Sequence, residues 1–436
     1  MKQHPFKIAS LGIQHVLAMY AGAVIVPLIV GGALNLTGEQ LTYLVSIDIL
    51  MCGIATILQV WQNRFFGIGL PIVLGCTFTA VGPMIAIGGE YGVSAIYGSI
   101  LVSGLIVVLI AQFFSKLIKF FPPVVTGSVV TIIGITLIPV AMNNIAGGQG
   151  SPDFGSLSNI GLAFGTLLFI ILLYRFTKGF IRSVAILLGL AGGTIAAALM
   201  GKVNFAAVGD ASWFHMVKPF YFGTPTFEWT PIITMTIVAI VSLVESTGVY
   251  FALSDITGRK LKESDLAKGY RAEGLAIMLG ALFNAFPYTT YSQNVGLLQL
   301  SGVKTKNVIY TMGTMLIILG FVPKIGALTT VIPTPVLGGA MVAMFGMVIA
   351  YGIKMLSKVE FASQENLLII ACSVGMGLGV TAVPDLFAQL PESVKILTNN
   401  GIVAGSLTAI FLNIVFNVAR PAKQSQSSEV SSQSAA

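Results

Sequence analysis

Charged residues are scarce in this sequence, and their scarcity excludes a soluble globular domain. Only 9% of the 436 residues are Asp, Glu, Lys or Arg, whereas soluble domains carry about 25%. Hydrophobic residues make up 55% of the chain, and the mean hydropathy is +0.91. The composition therefore predicts a polytopic, all-α membrane protein, with the lipid bilayer as its main surroundings.

Cysteine and histidine are also rare, and their positions exclude several kinds of chemistry. The three cysteines all lie in apolar runs, so neither a disulfide framework nor a metal site is indicated. The three histidines, His4, His15 and His215, are far apart, and no HExxH or GxSxG pattern accompanies them. We therefore expect no enzyme, no cofactor and no metal.

Long apolar runs are the most abundant feature of the chain. Eleven of them approach the roughly 20 residues that a helix needs to cross a bilayer. They are 8–33, 41–60, 93–115, 121–142, 159–175, 180–201, 231–253, 308–322, 327–353, 365–382 and 400–418. Three weaker stretches, 67–88, 268–286 and 287–303, are short or interrupted by Gly and Pro. Counting all three predicts 14 membrane-spanning segments.

The basic residues test this count. With the amino terminus inside, 19 of the 23 Lys and Arg fall in inner segments, and only Lys202, Lys218, Lys324 and Lys395 fall in outer ones. This asymmetry follows the positive-inside rule and predicts a plasma-membrane protein with both termini cytoplasmic. No basic patch for a nucleic acid forms, because the charges are scattered over short loops. Residues 1–420 are predicted to form the transporter domain, and 421–436 a disordered cytoplasmic tail.

Two similar proline-rich stretches indicate an internal repeat. FPPVVTG (121–127) opens the fifth predicted span and IPTPVLG (332–338) lies near the start of the twelfth. Aligning Pro123 with Pro335 gives an offset of 335 − 123 = 212 residues. Copies seven spans apart cross the membrane in opposite directions, because seven is odd. The sequence therefore predicts a 7+7 inverted repeat, with halves at about 8–201 and 231–418.

The third and tenth predicted spans are both broken, and they too are seven spans apart. The third contains GIGLPIVLGCTFT (67–79), and the tenth begins at Pro287. Broken helices at matching positions of two halves point to a transporter's binding site, because backbone groups left unpaired in the membrane must line a cavity or bind a ligand. The alternative is a Pro/Gly kink without a ligand.

An acidic residue, Glu245, lies inside the apolar run 231–253. A carboxylate in the middle of a membrane costs about 2.5 to 3.5 kcal/mol, so its presence favours a role in moving a substrate. A second polar cluster, YTTYSQN (288–294), lies about forty residues later. A buried structural carboxylate paired with a backbone N–H is the alternative for Glu245.

These residues carry a family resemblance. SQNVGLLQLSG (292–302) resembles the signature of the nucleobase-ascorbate transporter family, also called nucleobase:cation symporter-2, which reads Q/E/P-N-x-G-x-x-x-x-T-R/K/G; Ser301 replaces the usual Thr. The pair Gln14–His15 resembles the family's QH pair, Glu245 its eighth-span carboxylate and Glu273 its ninth-span acid. The resemblance extends over essentially the whole chain.

The resemblance implies a core domain of spans 1–4 and 8–11, a gate domain of spans 5–7 and 12–14, and short strands in segments 3 and 10. It also implies a homodimer and proton- or sodium-coupled uptake of a nucleobase by alternating access. Gln293 resembles the xanthine and urate group of the family, and a neutral amide offers both an acceptor and donors to an oxidised purine. We expect proton symport of xanthine; the alternatives are urate, then uracil, then anion exchange by the same fold.

The resemblance also suggests which residues form the site. Those expected to bind the substrate are Glu245, Gln293, Phe78, Thr79, Ser292 and Tyr291, and those expected to support the site or coupling are His15, Glu273, Asn294 and Gln14. Three have simpler alternatives: core packing for Phe78, a polar bond between helices for Gln293, and a surface ion pair with Lys268 or Arg271 for Glu273.

The residue that carries the proton is harder to assign. Several relatives have a protonatable group four residues after the eighth-span acid, but Val249 occupies that position here. Glu245 and His15 are the candidates, because burial and neighbouring charges tune both kinds of group. A histidine bonded between helices is the alternative for His15. Asp48, the only acid in the second span, has no assigned role.

Overall fold

The protein is described here by a computed structural model that covers residues 5–302, 304–391, 394–395 and 398–418, without the side chains of residues 5, 118, 119, 293, 300 and 301. The predicted tail, 421–436, lies outside the described residues. The helices are α1 Pro5–Ala33, α2 Gly38–Val60, α3 Val81–Tyr91, α4 Val93–Phe114, α5 Pro123–Ile145, α6 Leu157–Phe176, α7 Gly179–Ser183, α8 Ala185–Leu199, α9 Ala206–Asp210, α10 Trp229–Thr257, α11 Glu263–Leu282, α12 Ser292–Ser301, α13 Lys306–Gly320, α14 Pro323–Thr330, α15 Thr334–Leu356, α16 Gln364–Ala382 and α17 Gly401–Asn413. The strands are β1 Leu74–Cys76 and β2 Tyr288–Thr290.

Within the described residues, nine helices are long and apolar enough to cross a membrane, or ten if the bent pair α13–α14 counts as one span. The other four predicted spans correspond to α7 with α8, to α11, and to the two stretches that contain the strands, which are shorter, interrupted or more polar. The chain is thus a multi-pass membrane protein, and the count of 14 crossings stays a prediction.

Two predicted spans have different boundaries in the structure. The predicted span 327–353 was wrong at its start, because 327–330 belong to α14 and α15 begins only at Thr334. Pro333 and Pro335 explain the break, since proline disfavours helical geometry in the residue before it. The predicted span 180–201 was wrong as a single helix, because α7 ends at Ser183 and α8 begins at Ala185.

The helices pack in two groups. The first group contains α1 to α4, both strands and α9 to α14; the second contains α5 to α8 and α15 to α17. Close contacts are concentrated within each group, for example between α4 and α11 in the first and between α5 and α15 in the second. Contacts between the groups run mainly through α10 with α5 and α1 with α8. A long interface of limited contact therefore divides the molecule.

The packing inside the first group repeats itself. A Cβ atom added at Gly53 in α2 would lie 2.5 Å from the carbonyl oxygen of Gly313 in α13. A Cβ atom at Gly104 in α4 would lie 2.8 Å from the carbonyl oxygen of Gly274 in α11. The two helix pairs exchange when each predicted span is replaced by the one seven further along. Small residues at both crossings let the backbones approach closely, as is common between membrane helices.

The strand register has the same symmetry. β1 and β2 pair antiparallel, with Leu74 opposite Thr290, Gly75 opposite Thr289 and Cys76 opposite Tyr288. The central pair gives an offset of 289 − 75 = 214 residues, close to the 212 obtained from the proline-rich stretches. Shifting by 214 turns the first pair into the third, so the pairing maps onto itself. This is the relation that an inverted repeat predicts.

Because backbone atoms limit these crossings, Gly104→Ala is expected to destabilise the protein by about 1 to 3 kcal/mol, as overpacking does. Gly161→Ala is the matched control, because a Cβ atom there meets nothing within 4 Å. Thermal unfolding of the purified protein in detergent measures both variants. Equal melting temperatures for the two would contradict the close crossing of α4 and α11.

Candidate functional site

The two strands cross between the helix groups, and each leads directly into a helix. After β1 comes a single 3-10 turn, Phe78–Ala80, which continues into α3, and after β2 comes α12. The hydroxyl of Thr77 caps the turn by accepting the backbone N–H of Thr79 at 3.3 Å. Two helix amino-terminal ends, with their unpaired N–H groups and positive dipole ends, therefore lie beside the strand crossing. The strands fall in the third and tenth predicted segments, where the family resemblance implied them.

Glu245 in α10 faces this crossing. Its Oε2 atom accepts a hydrogen bond from the Thr289 hydroxyl at 3.4 Å, and the Thr79 side chain also interacts with its carboxyl group. The side chain is half-buried, whereas both threonines are buried. The carboxyl group is paired with hydroxyls and with no Lys or Arg among the described residues. The structure thus brings together three residues that the sequence had placed far apart.

Two aromatic rings flank the same region. The rings of Phe78 and Tyr291 are nearly parallel, at 15°, with centroids 6.4 Å apart. The Tyr291 hydroxyl donates to the carbonyl oxygen of Cys76 at 3.0 Å, which fixes its ring against β1. Phe345 of α15 meets Phe78 edge-on at 5.6 Å. Sequence reasoning missed Phe345, because it belongs to the other helix group and no local motif marks it.

His15 is bound by Asn294 rather than directed at the carboxyl group of Glu245. Asn294 Nδ2 lies 3.1 Å from His15 Nδ1 and donates to the His15 carbonyl oxygen at 3.2 Å. Both residues are buried. These bonds tie α1 to α12, which is the alternative that the sequence left open for His15. Gln14, the preceding residue, is half-buried on α1.

Glu273 lies in a separate buried cluster. Its Oε1 accepts hydrogen bonds from the hydroxyl of Tyr250 and from the side-chain amide of Gln59, the latter at 3.5 Å. The side chain is 0% exposed and forms no ion pair with a described residue. The alternative of a surface ion pair with Lys268 or Arg271 is therefore wrong.

Asp48 is a buried acid for which the sequence gave no role. Its Oδ1 accepts the backbone N–H of Phe286 at 2.7 Å, and its Oδ2 has no partner among the described residues. Phe286 lies two residues before β2, so Asp48 anchors the approach to that strand. A signal was present in the sequence, since Asp48 is a lone acid in an apolar run.

Two cavities between the helix groups reach α12. One, of about 420 Å³, is bounded by α5, α10, α12 and α15; the other, of about 260 Å³, is bounded mainly by α1, α8, α12 and α15. Ser292, Gly296 and Tyr351 line both cavities. The side chain of Gln293 lies outside the described part of the structure. Ser292 is half-buried, and its position at the start of α12 places it beside the crossing.

A third cavity, of about 540 Å³, lies between the groups at the opposite membrane face, where α1 and α5 end and α15 begins. Its walls come from predicted spans 1, 3, 5 and 12. The 420 Å³ cavity has walls from spans 8, 10, 12 and 5. Adding seven to the first set, with twelve returning to five, gives the second. The two cavities are therefore counterparts under the repeat, at opposite ends of one interface.

A strand crossing between two helix groups, with cavities at both membrane faces, defines a membrane transporter. Solved structures with the same fold include the transmembrane domain of a cyanobacterium bicarbonate transporter, BicA, with a TM-score of 0.60 and 15% identity over 94% of this chain and 99% of that one. Another is the murine Solute Carrier 26 family member A9 anion transporter in the inward-facing state, with a TM-score of 0.61 and 11% identity over 96% and 69%. At such low identity these likenesses concern the fold alone.

The chain belongs to the nucleobase-ascorbate transporter family, as its residues had suggested: the model of the Xan_ur_permease "Permease family" matches residues 6–386. It is 71% identical to a xanthine permease of Bacillus subtilis, over 96% of this chain and 95% of that protein. It is 66% identical to the uric acid permease PucK of the same organism, over 96% and 98%. The matching family and relatives are permeases, so the chain is a transporter and not an enzyme.

Proposed function

We propose that this protein takes up an oxidised purine base by proton symport, with xanthine as the first candidate. Relatives that are 71% and 66% identical are named for xanthine and uric acid, which supports a purine over a pyrimidine. Gln293 supports the same choice at the level of sequence, because its amide matches the mixed C=O and N–H edge of an oxopurine.

The observation that carries the proposal is an acid placed beside two nearly parallel rings. A flat ring between two others needs a separation of roughly 7 Å, twice a van der Waals contact of about 3.5 Å. The Phe78 and Tyr291 centroids are 6.4 Å apart, so a small widening would admit a base. Its ring N–H groups could then donate to Glu245, and hydrogen bonds to a charged group are the stronger kind. Thr79 and Ser292 would complete the polar contacts.

Urate is the second candidate, because two relatives, at 66% and 55% identity, are named uric acid permeases. Uracil comes third and anion exchange last. An anion would be repelled by an ionised Glu245, which has no cation beside it among the described residues. A neutral or weakly acidic base suits the site better.

We further propose that the first helix group is the core domain and the second the gate domain. The limited contact between the groups and the repeat-related cavities at opposite faces support alternating access, in which the base is exposed to one face at a time. The 14 crossings, the cytoplasmic termini and the plasma-membrane location are proposed on the distribution of Lys and Arg. The homodimer is proposed on the family resemblance.

Uptake of labelled xanthine by cells that express the chain tests this function. We expect uptake that excess unlabelled urate inhibits, that uracil does not, and that a proton uncoupler abolishes. Cells that carry the empty vector are the control. Absence of xanthine uptake by a membrane-inserted protein would contradict the proposal and make uracil the next substrate to test.

A further inference from the structure

A series of hydroxyl groups connects Glu245 with Glu273. The Thr289 hydroxyl lies 3.4 Å from Glu245 Oε2 and 3.3 Å from the hydroxyl of Ser246. The Ser246 hydroxyl in turn interacts with the carboxyl group of Glu273, whose Oε2 atom has no partner of its own with strict hydrogen-bond geometry. Two adjacent residues of α10, 245 and 246, thus point toward opposite ends of one polar path.

The far end of this path can hold a proton or a negative charge. The groups that face Glu273 are the Tyr250 hydroxyl from α10, the Gln59 amide from α2, Tyr270 from its own helix, and Glu245 across the two hydroxyls. No cation pairs with Glu273 among the described residues. A buried carboxyl group without a cation is more stable as the neutral acid, while two hydrogen-bond donors make the carboxylate reachable.

We propose that Glu273 holds the transported proton and that Ser246 and Thr289 pass it to and from Glu245. This inference rests on the proposed proton symport. In one step, the Glu273 O–H gives its proton to Ser246, Ser246 gives its own to Thr289, and Thr289 gives its own to Glu245. Glu273 becomes a carboxylate, Glu245 becomes a neutral acid, and both hydroxyls are restored. The total charge of the path does not change.

The substrate can control this transfer. When a base is bound, its N–H groups stabilise the Glu245 carboxylate, so the proton stays on Glu273. When the base leaves, Glu245 loses those donors and becomes the better proton acceptor. The two printed separations, 3.3 and 3.4 Å, are longer than the roughly 2.7 to 2.8 Å usual for O–H···O bonds. A movement of about half an ångström at Thr289 would close both links.

Ser246→Ala removes the relay and leaves both acids in place. Ser242→Ala is the matched control, because Ser242 lies one turn earlier on α10, is also buried, and bonds a different hydroxyl, that of Thr77, at 3.3 Å. Proteoliposomes that contain each variant are assayed for accumulation of labelled xanthine driven by a proton gradient. The same vesicles are assayed for exchange of labelled against unlabelled xanthine without a gradient, which needs no net proton movement.

We expect Ser246→Ala to exchange xanthine as the wild type does, while its accumulation ratio falls to about one, because uncoupled transport only equilibrates the base. Ser246→Thr, which keeps the hydroxyl, and Ser242→Ala should both accumulate normally. Normal accumulation by Ser246→Ala would overturn the relay, and so would loss of exchange and accumulation together. A wild type that exchanges xanthine but ignores the gradient would instead refute the proposed proton symport itself.

Discussion

Glu245→Gln is expected to abolish accumulation of the base and to weaken its binding by about 10- to 150-fold. The glutamine keeps the size of the side chain but replaces a charged acceptor with a neutral amide. Loss of a hydrogen bond to a charged group costs about 1.5 to 3 kcal/mol, which corresponds to that range of affinity. Binding of labelled xanthine to the purified variant and uptake by whole cells measure the two effects.

Glu90→Gln is the control for this experiment, since Glu90 is an exposed acid near the end of α3. It should bind and accumulate xanthine as the wild type does. Near-normal affinity in Glu245→Gln would contradict the proposed contact with the base. The expected pattern also differs from that of Ser246→Ala, which should keep binding and exchange and lose only accumulation. The two adjacent residues of α10 therefore have separable roles.

The sequence predicted the repeat well, because it depends on local patterns that recur. The proline-rich stretches gave an offset of 212 residues, and the strand pairing gives 214. The broken third and tenth segments were visible as Gly and Pro within apolar runs. The bend of 80° between α13 and α14 was not predicted. Both parts are apolar, and hydropathy records the length of a run but not a change in its direction.

The surroundings of Glu273 show why the site was only partly predictable. The nearby Lys268 and Arg271 suggested a surface ion pair, but residues two apart on a helix point to nearly opposite sides. Arg271 accordingly bonds Gln112 at 2.7 Å, while Glu273 faces the core. Helical spacing alone could have weakened the ion-pair alternative. The hydroxyl path to Glu245 could not be predicted, since it depends on how β2 crosses α10.

Phe345 marks the same limit from the other side. Its contact with Phe78 joins the two helix groups, and the residues are 345 − 78 = 267 positions apart. One apolar residue among many in α15 carries no signal that it touches the site. The family resemblance could point to Phe78 and Tyr291 only because motifs surround them. Contacts made by the gate side therefore require the folded structure.

Gly75→Ala is expected to disrupt the site through the ring of Tyr291. A Cβ atom at Gly75 would lie 2.3 Å from Tyr291 Cζ, while one at Gly22 would lie 2.9 Å from Cε2 of the same ring. The ring is held between these two glycines, and its hydroxyl is bonded to Cys76. It therefore cannot retreat, and the new methyl group must displace the ring or part the strands. Overpacking of this kind costs about 1 to 3 kcal/mol, equivalent to a loss of roughly 5- to 150-fold in affinity.

Gly89→Ala is the matched control, because a Cβ atom there meets nothing within 4 Å. Xanthine binding and thermal unfolding of both purified variants distinguish local from global damage. A displaced ring lowers affinity with little change in melting temperature, whereas parted strands lower both, because β1 and β2 are the only strands among the described residues that tie the two halves together. Unchanged affinity and stability in Gly75→Ala would mean that Tyr291 is free to move and forms no fixed wall of the site.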